Sequence, residues 1–216
     1  MRKWIPFVIV AIAAAASLAV YSRMPATVPT HWDLVGRPNG WSSRQWGAWV
    51  MPLALLGMAV LVRFLPAIDP RGNNYSKFTG AFEGIIISVM LFMLGLHIII
   101  LMAALGYPVA MERVVPFGIG VLFVVIGNLL PRARPNWFVG IRTPWTLSSD
   151  RVWEKTHRFG GKVFVLAGVL IVLGVLLLPA VGYIIMSCVV AIATVSVLVY
   201  SYLEWKKERA LTGAVS

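Results

Sequence analysis

Residues 163–203 read VFVLAGVLIVLGVLLLPAVGYIIMSCVVAIATVSVLVYSYL, an apolar run that holds no charged residue and is interrupted only by Pro179 and Ala180. A helix needs about 20 consecutive apolar residues to cross the roughly 30 Å hydrocarbon layer of a bilayer, so the run accommodates two crossings, Val163 to Leu178 and Val181 to Leu203. With Gly182 and Tyr183 directly after the break, the two should form a helical hairpin with almost no loop. Working towards the N-terminus, further apolar segments run from Trp4 to Ser22, Trp46 to Pro66, Ala81 to Gly106 and Val114 to Leu130. The third segment is long enough to tilt and the fourth is near the lower limit. The expected architecture is therefore all-α: a polytopic integral membrane protein with a six-helix transmembrane bundle.

Composition agrees. Of 216 residues, 59% are hydrophobic and 12% charged, which excludes an ordinary soluble domain. The net charge of +11 would suggest nucleic acid in a soluble protein, but here the basic residues lie between apolar blocks and report orientation instead. The lone cysteine, Cys188, excludes an internal disulfide and any multi-cysteine metal site. Arg2-Lys3 followed by an apolar stretch and Ser17-Leu18-Ala19 also fits a cleavable signal peptide. That stretch exceeds the roughly 7–15 residues of a signal core, so a retained first span is expected.

Of the 19 Lys and Arg residues, only Arg23, Arg37, Arg44 and Arg113 fall on one side of the six spans. The positive-inside rule then makes both termini cytoplasmic. Two loops are too long and too varied to be connectors, an external one over 23–45 and a cytoplasmic one over 131–162. The chain divides on this reading into an N-terminal two-span unit, 1–66, that carries the external loop, and a four-span unit, 67–216, that carries the cytoplasmic loop.

In the external loop Pro25, Pro29, Gly36, Pro38 and Gly40 impose turns, so an ordered loop is expected. Trp32, Trp41, Trp46 and Trp49 suit either a headgroup-level belt or a surface for an amphipathic external peptide. His31 and Asp33 could ligate a cation, yet no third or fourth ligand is nearby, and a hydrogen-bonded loop is the simpler expectation. Within the bilayer the polar residues are Glu83, His97 and Asn128. They make a poor proton relay, and interhelical hydrogen bonds are expected of His97 and Asn128.

The cytoplasmic loop contains NWFVGIRTPWTL at 136–147 and VWEKTHRFGG at 152–161. Pro135 and Pro144 restrict the backbone, Gly140 permits a positive φ, and Ser148 or Ser149 could cap a helix that carries Asp150 in its first turn. From Ser149 on, the spacing predicts an amphipathic helix lying at the inner interface ahead of the fifth span, with Trp153 and His157 on one face. Ser148, Ser149 and His157 do not make a hydrolase without a nucleophile elbow. No HExxH, P-loop or GxGxxG occurs anywhere in the chain, so neither an enzyme nor a cofactor is expected.

These two stretches resemble the signature of the SdpI family of bacterial immunity membrane proteins. The external loop, with Pro29, His31, Trp32, Gly36 and Gly40, resembles the N-terminal domain of unknown function commonly fused ahead of that signature. The resemblance implies a six-span protein of the bacterial cytoplasmic membrane that protects its cell from a secreted SDP-type peptide toxin. It also implies a possible second role, capturing a small cytoplasmic repressor at the membrane, with no direct contact to nucleic acid. Signature positions carried over as partner-binding candidates are Asn136, Gly140, Arg142, Thr143, Pro144, Trp145, Thr146, Trp153, Thr156, His157 and Gly160. His31, Trp32, Asp33, Gly36, Gly40 and Trp41 are the candidates for toxin recognition. The alternative is a small-molecule or proton-coupled transporter, for which repeated halves or broken helices would be expected.

Overall fold

The structure, a computed structural model, describes residues 4–213. Arg2 and Lys3, which enter the charge count, lie outside the described residues. The helices are α1 (Ile5–Val20), α2 (Arg44–Ile68), α3 (Thr79–Ala104), α4 (Met111–Leu129), a short α5 (Pro144–Ser148), α6 (Asp150–Leu177) and α7 (Gly182–Gly213). All but α5 are long and apolar enough to cross a membrane, giving 6 spans among the described residues. Pro179–Val181 is a single 3-10 turn between α6 and α7, the near-loopless hairpin expected.

Two differences from expectation have physical causes. The segment from Asp150 is not a separate interfacial helix but the first turns of α6, which runs unbroken for 28 residues. Gly160 and Gly161 do not interrupt it, because both sit at close approaches: a methyl group on Gly160 would overlap the Ile141 side chain, and one on Gly161 would lie 2.7 Å from the Gly127 carbonyl oxygen. The external loop is more regular than a series of turns. It forms an antiparallel hairpin of β1 (Thr27–Trp32) and β2 (Pro38–Ser43), bulged around His31.

The hairpin ends in Ser43, whose side chain caps α2 by accepting from the Trp46 N–H at 3.3 Å. Fully buried Val28 anchors it against Gly47, within a cluster of Met24, Ala48, Leu101 and Ala104 at the ends of α1, α2 and α3. At the other end of the bundle these three helices share a core of Leu65, Tyr75, Phe78 and Phe82, which extends to Ala133 and Val139 of the 131–149 segment.

The closest helix seam is α4 with α6. Gly120 faces Gly168 and Gly127 faces Gly161, so the two antiparallel backbones approach with carbonyl oxygens where side chains would otherwise stand. Small residues are what let membrane helices pack this closely, since lipid offers no hydrophobic drive to association. The stacked rings of Phe123 and Phe164, 4.8 Å apart, extend the seam.

Candidate functional site

The 131–149 segment is built around Asn136, which is fully buried and uses its whole amide. Its Nδ2 donates to the carbonyls of Arg134 (2.9 Å) and Val139 (2.8 Å), while its Oδ1 accepts the N–H groups of Phe138 (2.9 Å) and Val139 (2.6 Å). An amide carries two donor hydrogens and an oxygen with two lone pairs, so this one side chain folds the loop onto itself from both directions.

A second buried frame is made by Trp153 and His157, stacked at 4.1 Å between ring centroids on the first turns of α6. Trp153 Nε1 donates to the Ala133 carbonyl at 2.9 Å. His157 Nδ1 lies 2.8 Å from the Trp153 carbonyl and Nε2 accepts the Ile141 N–H at 3.0 Å. One ring nitrogen faces an acceptor and the other a donor, so the arrangement suits a neutral ring with its proton on Nδ1. Gly140 runs directly over this ring pair at φ +123°, and any side chain there would overlap His157 Nε2.

Thr143 and Thr146 close α5 with a reciprocal capping box: the Thr146 N–H donates to Thr143 Oγ1 (3.1 Å) and the Thr143 N–H to Thr146 Oγ1 (2.9 Å). Thr143 Oγ1 also donates to Ser201 Oγ at 3.2 Å, tying the segment to α7. Thr156 is buried in the same packing with no hydrogen-bond partner for its hydroxyl among the described residues, and Gly160 passes beneath Ile141. Glu204, buried on α7, binds Lys155 at 2.7 Å and Lys207 at 3.1 Å and locks α6 to α7 nearby.

Of the eleven signature candidates, Gly140, Arg142, Pro144 and part of Trp145 reach the surface. Arg142 Nη1 donates to the Trp137 carbonyl at 2.8 Å, and Trp145 leans on Tyr202 with ring centroids 5.2 Å apart. Beside them Trp137 and Phe138, which are not among the sequence candidates, are 47% and 36% exposed.

The partner of this loop lies at the end of α2, outside the residues that the sequence points to. Asp69, buried at the end of α2, accepts the Trp137 N–H (2.9 Å), the Tyr75 hydroxyl (2.8 Å) and the Arg71 N–H (2.7 Å). Burial first, and the Asp69 carboxylate second, push the Tyr75 phenol above its usual value, so it remains a donor. Arg71 then bonds Asp150 at 2.7 Å, and Asn74 donates to the Pro135 carbonyl at 2.8 Å. One signal was available: a carboxylate at a helix C-terminus opposes the macrodipole, so Asp69 needed another reason to be there.

At the hairpin end, Asp33 makes the turn. Its Oδ1 accepts the Val35 N–H (3.0 Å) and the Arg37 N–H (2.8 Å), and Gly36 takes φ +78° with its α-carbon against Glu112 at the start of α4. His31 Nδ1 pairs with Asn39 Oδ1, and Gly40 packs on the His31 side chain. Among the described residues no group of three or more His, Cys, Asp or Glu is gathered for a metal. Trp32 is half-buried, while Trp41, Trp46, Leu34 and Val35 are exposed.

Within the bundle, His97 is fully buried, with Nε2 2.9 Å from Ser17 Oγ and 3.3 Å from the Ala13 carbonyl; Ser17 in turn donates to the Ala48 carbonyl at 2.6 Å. This is an interhelical clamp of α1, α2 and α3. Asn128 differs from expectation: it faces outward and bonds back to the Val124 carbonyl of its own helix at 2.8 Å, because Gly127, not Asn128, occupies the α6 seam. Glu83 lies half-buried in the first turns of α3.

Residues 132–201, which contain both buried frames, match the SdpI/YfhL protein family, and residues 8–56 match a domain of unknown function, DUF1648. Over 206 residues the chain is 27% identical to "Immunity protein SdpI" of Bacillus subtilis (strain 168), covering 95% of this chain and 97% of that protein. The chain is SdpI-like. No solved structure matches it. The SdpI-like chain is a multi-pass membrane protein by its spans and by this relative. Its Asp69, Arg71 and Tyr75 clamp falls between the two matched segments, outside both.

Proposed function

We propose that this chain is a membrane immunity protein that protects its cell from a secreted SDP-type peptide toxin, and that its signature end captures a small cytoplasmic repressor when toxin is present. The observation that carries the reading is the near end-to-end correspondence with Immunity protein SdpI, hairpin and signature loop included. In this reading the signature end and both termini are cytoplasmic, as the distribution of Lys and Arg favours. A secreted peptide then meets the hairpin, where Trp41, Trp46, Leu34 and Val35 offer exposed apolar anchors. A cytoplasmic protein meets Trp137, Phe138, Arg142, Pro144 and Trp145, held on a loop that hydrogen bonds have already ordered. The six spans run as unbroken helices, whereas transporter sites at mid-membrane commonly use interrupted ones.

Expression in a toxin-sensitive host, followed by challenge with SDP-type peptide, tests protection; survival is expected, and unchanged killing at normal surface expression overturns the assignment. Asn39→Cys, Pro144→Cys and Ala210→Cys, each in a Cys188→Ala background, test orientation. An impermeant thiol reagent should label only the first in intact cells, and labelling at position 144 would reverse both surfaces.

A further inference from the structure

The α4/α6 seam leaves a groove of about 470 Å³ on the lipid-facing side of the bundle, lined by Gly127, Asn128, Gly161, Lys162, Val165 and Leu166, with Val169 deeper. We propose that this groove is a binding site for one anionic phospholipid, its phosphate on Lys162 and an acyl chain along Val165, Leu166 and Val169. In a bilayer, a groove facing outward from the bundle is filled by lipid. The side chain at its mouth decides which lipid.

Lys162, Val165, Leu166 and Val169 are spaced i, i+3, i+4 and i+7, so they form one stripe of α6 with the ammonium at one end and apolar wall beyond it. Lys162 is the last charged residue before the apolar stretch of α6, which places it at headgroup depth. Its side chain is exposed, and no carboxylate of the described residues pairs with it: Arg158 takes Glu154, while Lys155 and Lys207 take Glu204. Across the mouth, Asn128 uses one amide hydrogen on the Val124 carbonyl and retains the other for a phosphate or glycerol oxygen.

Two other grooves supply the contrast. The α6/α7 groove along Phe159, Ile192, Val195 and Leu203, and the α3/α4 groove along Leu91, Phe117 and Val121, have no charged residue in their walls. They can hold acyl chains but have no means of choosing a headgroup. The α4/α6 groove pairs an apolar channel with an unneutralised cation, which matches both halves of an acidic lipid, whereas a soluble anion would use the cation alone.

The test uses the full chain in mild detergent, with thermal unfolding followed by tryptophan fluorescence during titration with phosphatidylglycerol, phosphatidylcholine or inorganic phosphate. Phosphatidylglycerol should raise the midpoint saturably, and high salt should weaken its effect. Lys162→Gln should weaken its apparent affinity about fivefold, while Lys162→Arg retains it. Lys206→Gln removes the same charge from the exposed tail of α7 and should change nothing. Leu166→Trp, which fills the groove and leaves the ammonium, should also weaken binding. Equal response to phosphatidylcholine, equal loss in Lys206→Gln, or full replacement by inorganic phosphate would each overturn the proposal.

Discussion

The two ends of the molecule use polar side chains differently. At the signature end Asn136, Thr143, Thr146, Trp153, His157 and Asp69 are buried and bonded to backbone groups, so most of that sequence goes into holding its own shape. At the hairpin end the frame is thinner: one carboxylate, Asp33, one positive-φ glycine, Gly36, and one buried anchor, Val28, support a surface whose larger side chains mostly face outward. A dense signature is thus not the same as a dense contact surface. Its buried members fix geometry, and only a few exposed ones are available for contact with another molecule.

The glycines break that comparison most sharply. Gly140→Ala should destabilise the protein by roughly 2–5 kcal/mol, combining positive-φ strain with overlap on a buried ring that cannot move. Gly36→Ala carries similar backbone strain, yet the nearest obstacle there is the end of a Glu112 side chain, which can swing away, leaving the Glu112 backbone nitrogen 3.3 Å off; about 1–2 kcal/mol is expected. Unfolding midpoints of the two variants in the same detergent measure the difference, and equal losses would mean that the hairpin is framed as rigidly as the signature loop.

The carboxylates give a smaller contrast. Asp69 accepts through both oxygens, so in Asp69→Asn the new amide group must face a donor, the Tyr75 hydroxyl, the Trp137 N–H or the Arg71 N–H; a loss of about 1–3 kcal/mol is expected. Asp33 accepts both of its N–H groups on one oxygen, which Asp33→Asn keeps, so that variant should stay within about 0.5 kcal/mol of the parent. Denaturant titration of the pair reads this directly.

What could be read from the sequence follows from the range of each interaction. Span number, the α6–α7 hairpin and a capping serine at 148 or 149 depend on local composition and spacing, and the structure contains all three, with Ser149 as the cap. The Trp153–His157 stack was readable as an i, i+4 pair. The Asp69 clamp was not, because it joins residues 68 positions apart and nothing near Asp69 announces Trp137. Gly160 and Gly161 look locally like a helix break; only the approach of Ile141 and Gly127 shows why the helix continues. The general cost of polar groups in lipid predicts an interhelical bond for Asn128, whereas a bond to its own helix satisfies it facing outward.

The smallest structural effect is expected where the functional effect is sought. Arg142→Gln removes one exposed hydrogen bond, to the Trp137 carbonyl, and should shift stability by less than about 0.5 kcal/mol. Guanidinium geometry is not replaced by an amide, so in the proposed reading the variant loses repressor capture while protection from toxin is kept. Trp32→Ala and His31→Ala, at the hairpin, should do the reverse and weaken toxin binding first. The link between the ends requires that toxin bind two arrangements of the bundle unequally, since a ligand with equal affinity for both shifts nothing. Toxin binding, repressor recruitment and surface expression, measured together on these variants, separate the two surfaces. Should Arg142→Gln, normally expressed, lose toxin binding as fully as capture, the exposed arginine belongs to the folding frame with Asn136 and His157, and the partner surface must be sought at Trp137 and Phe138.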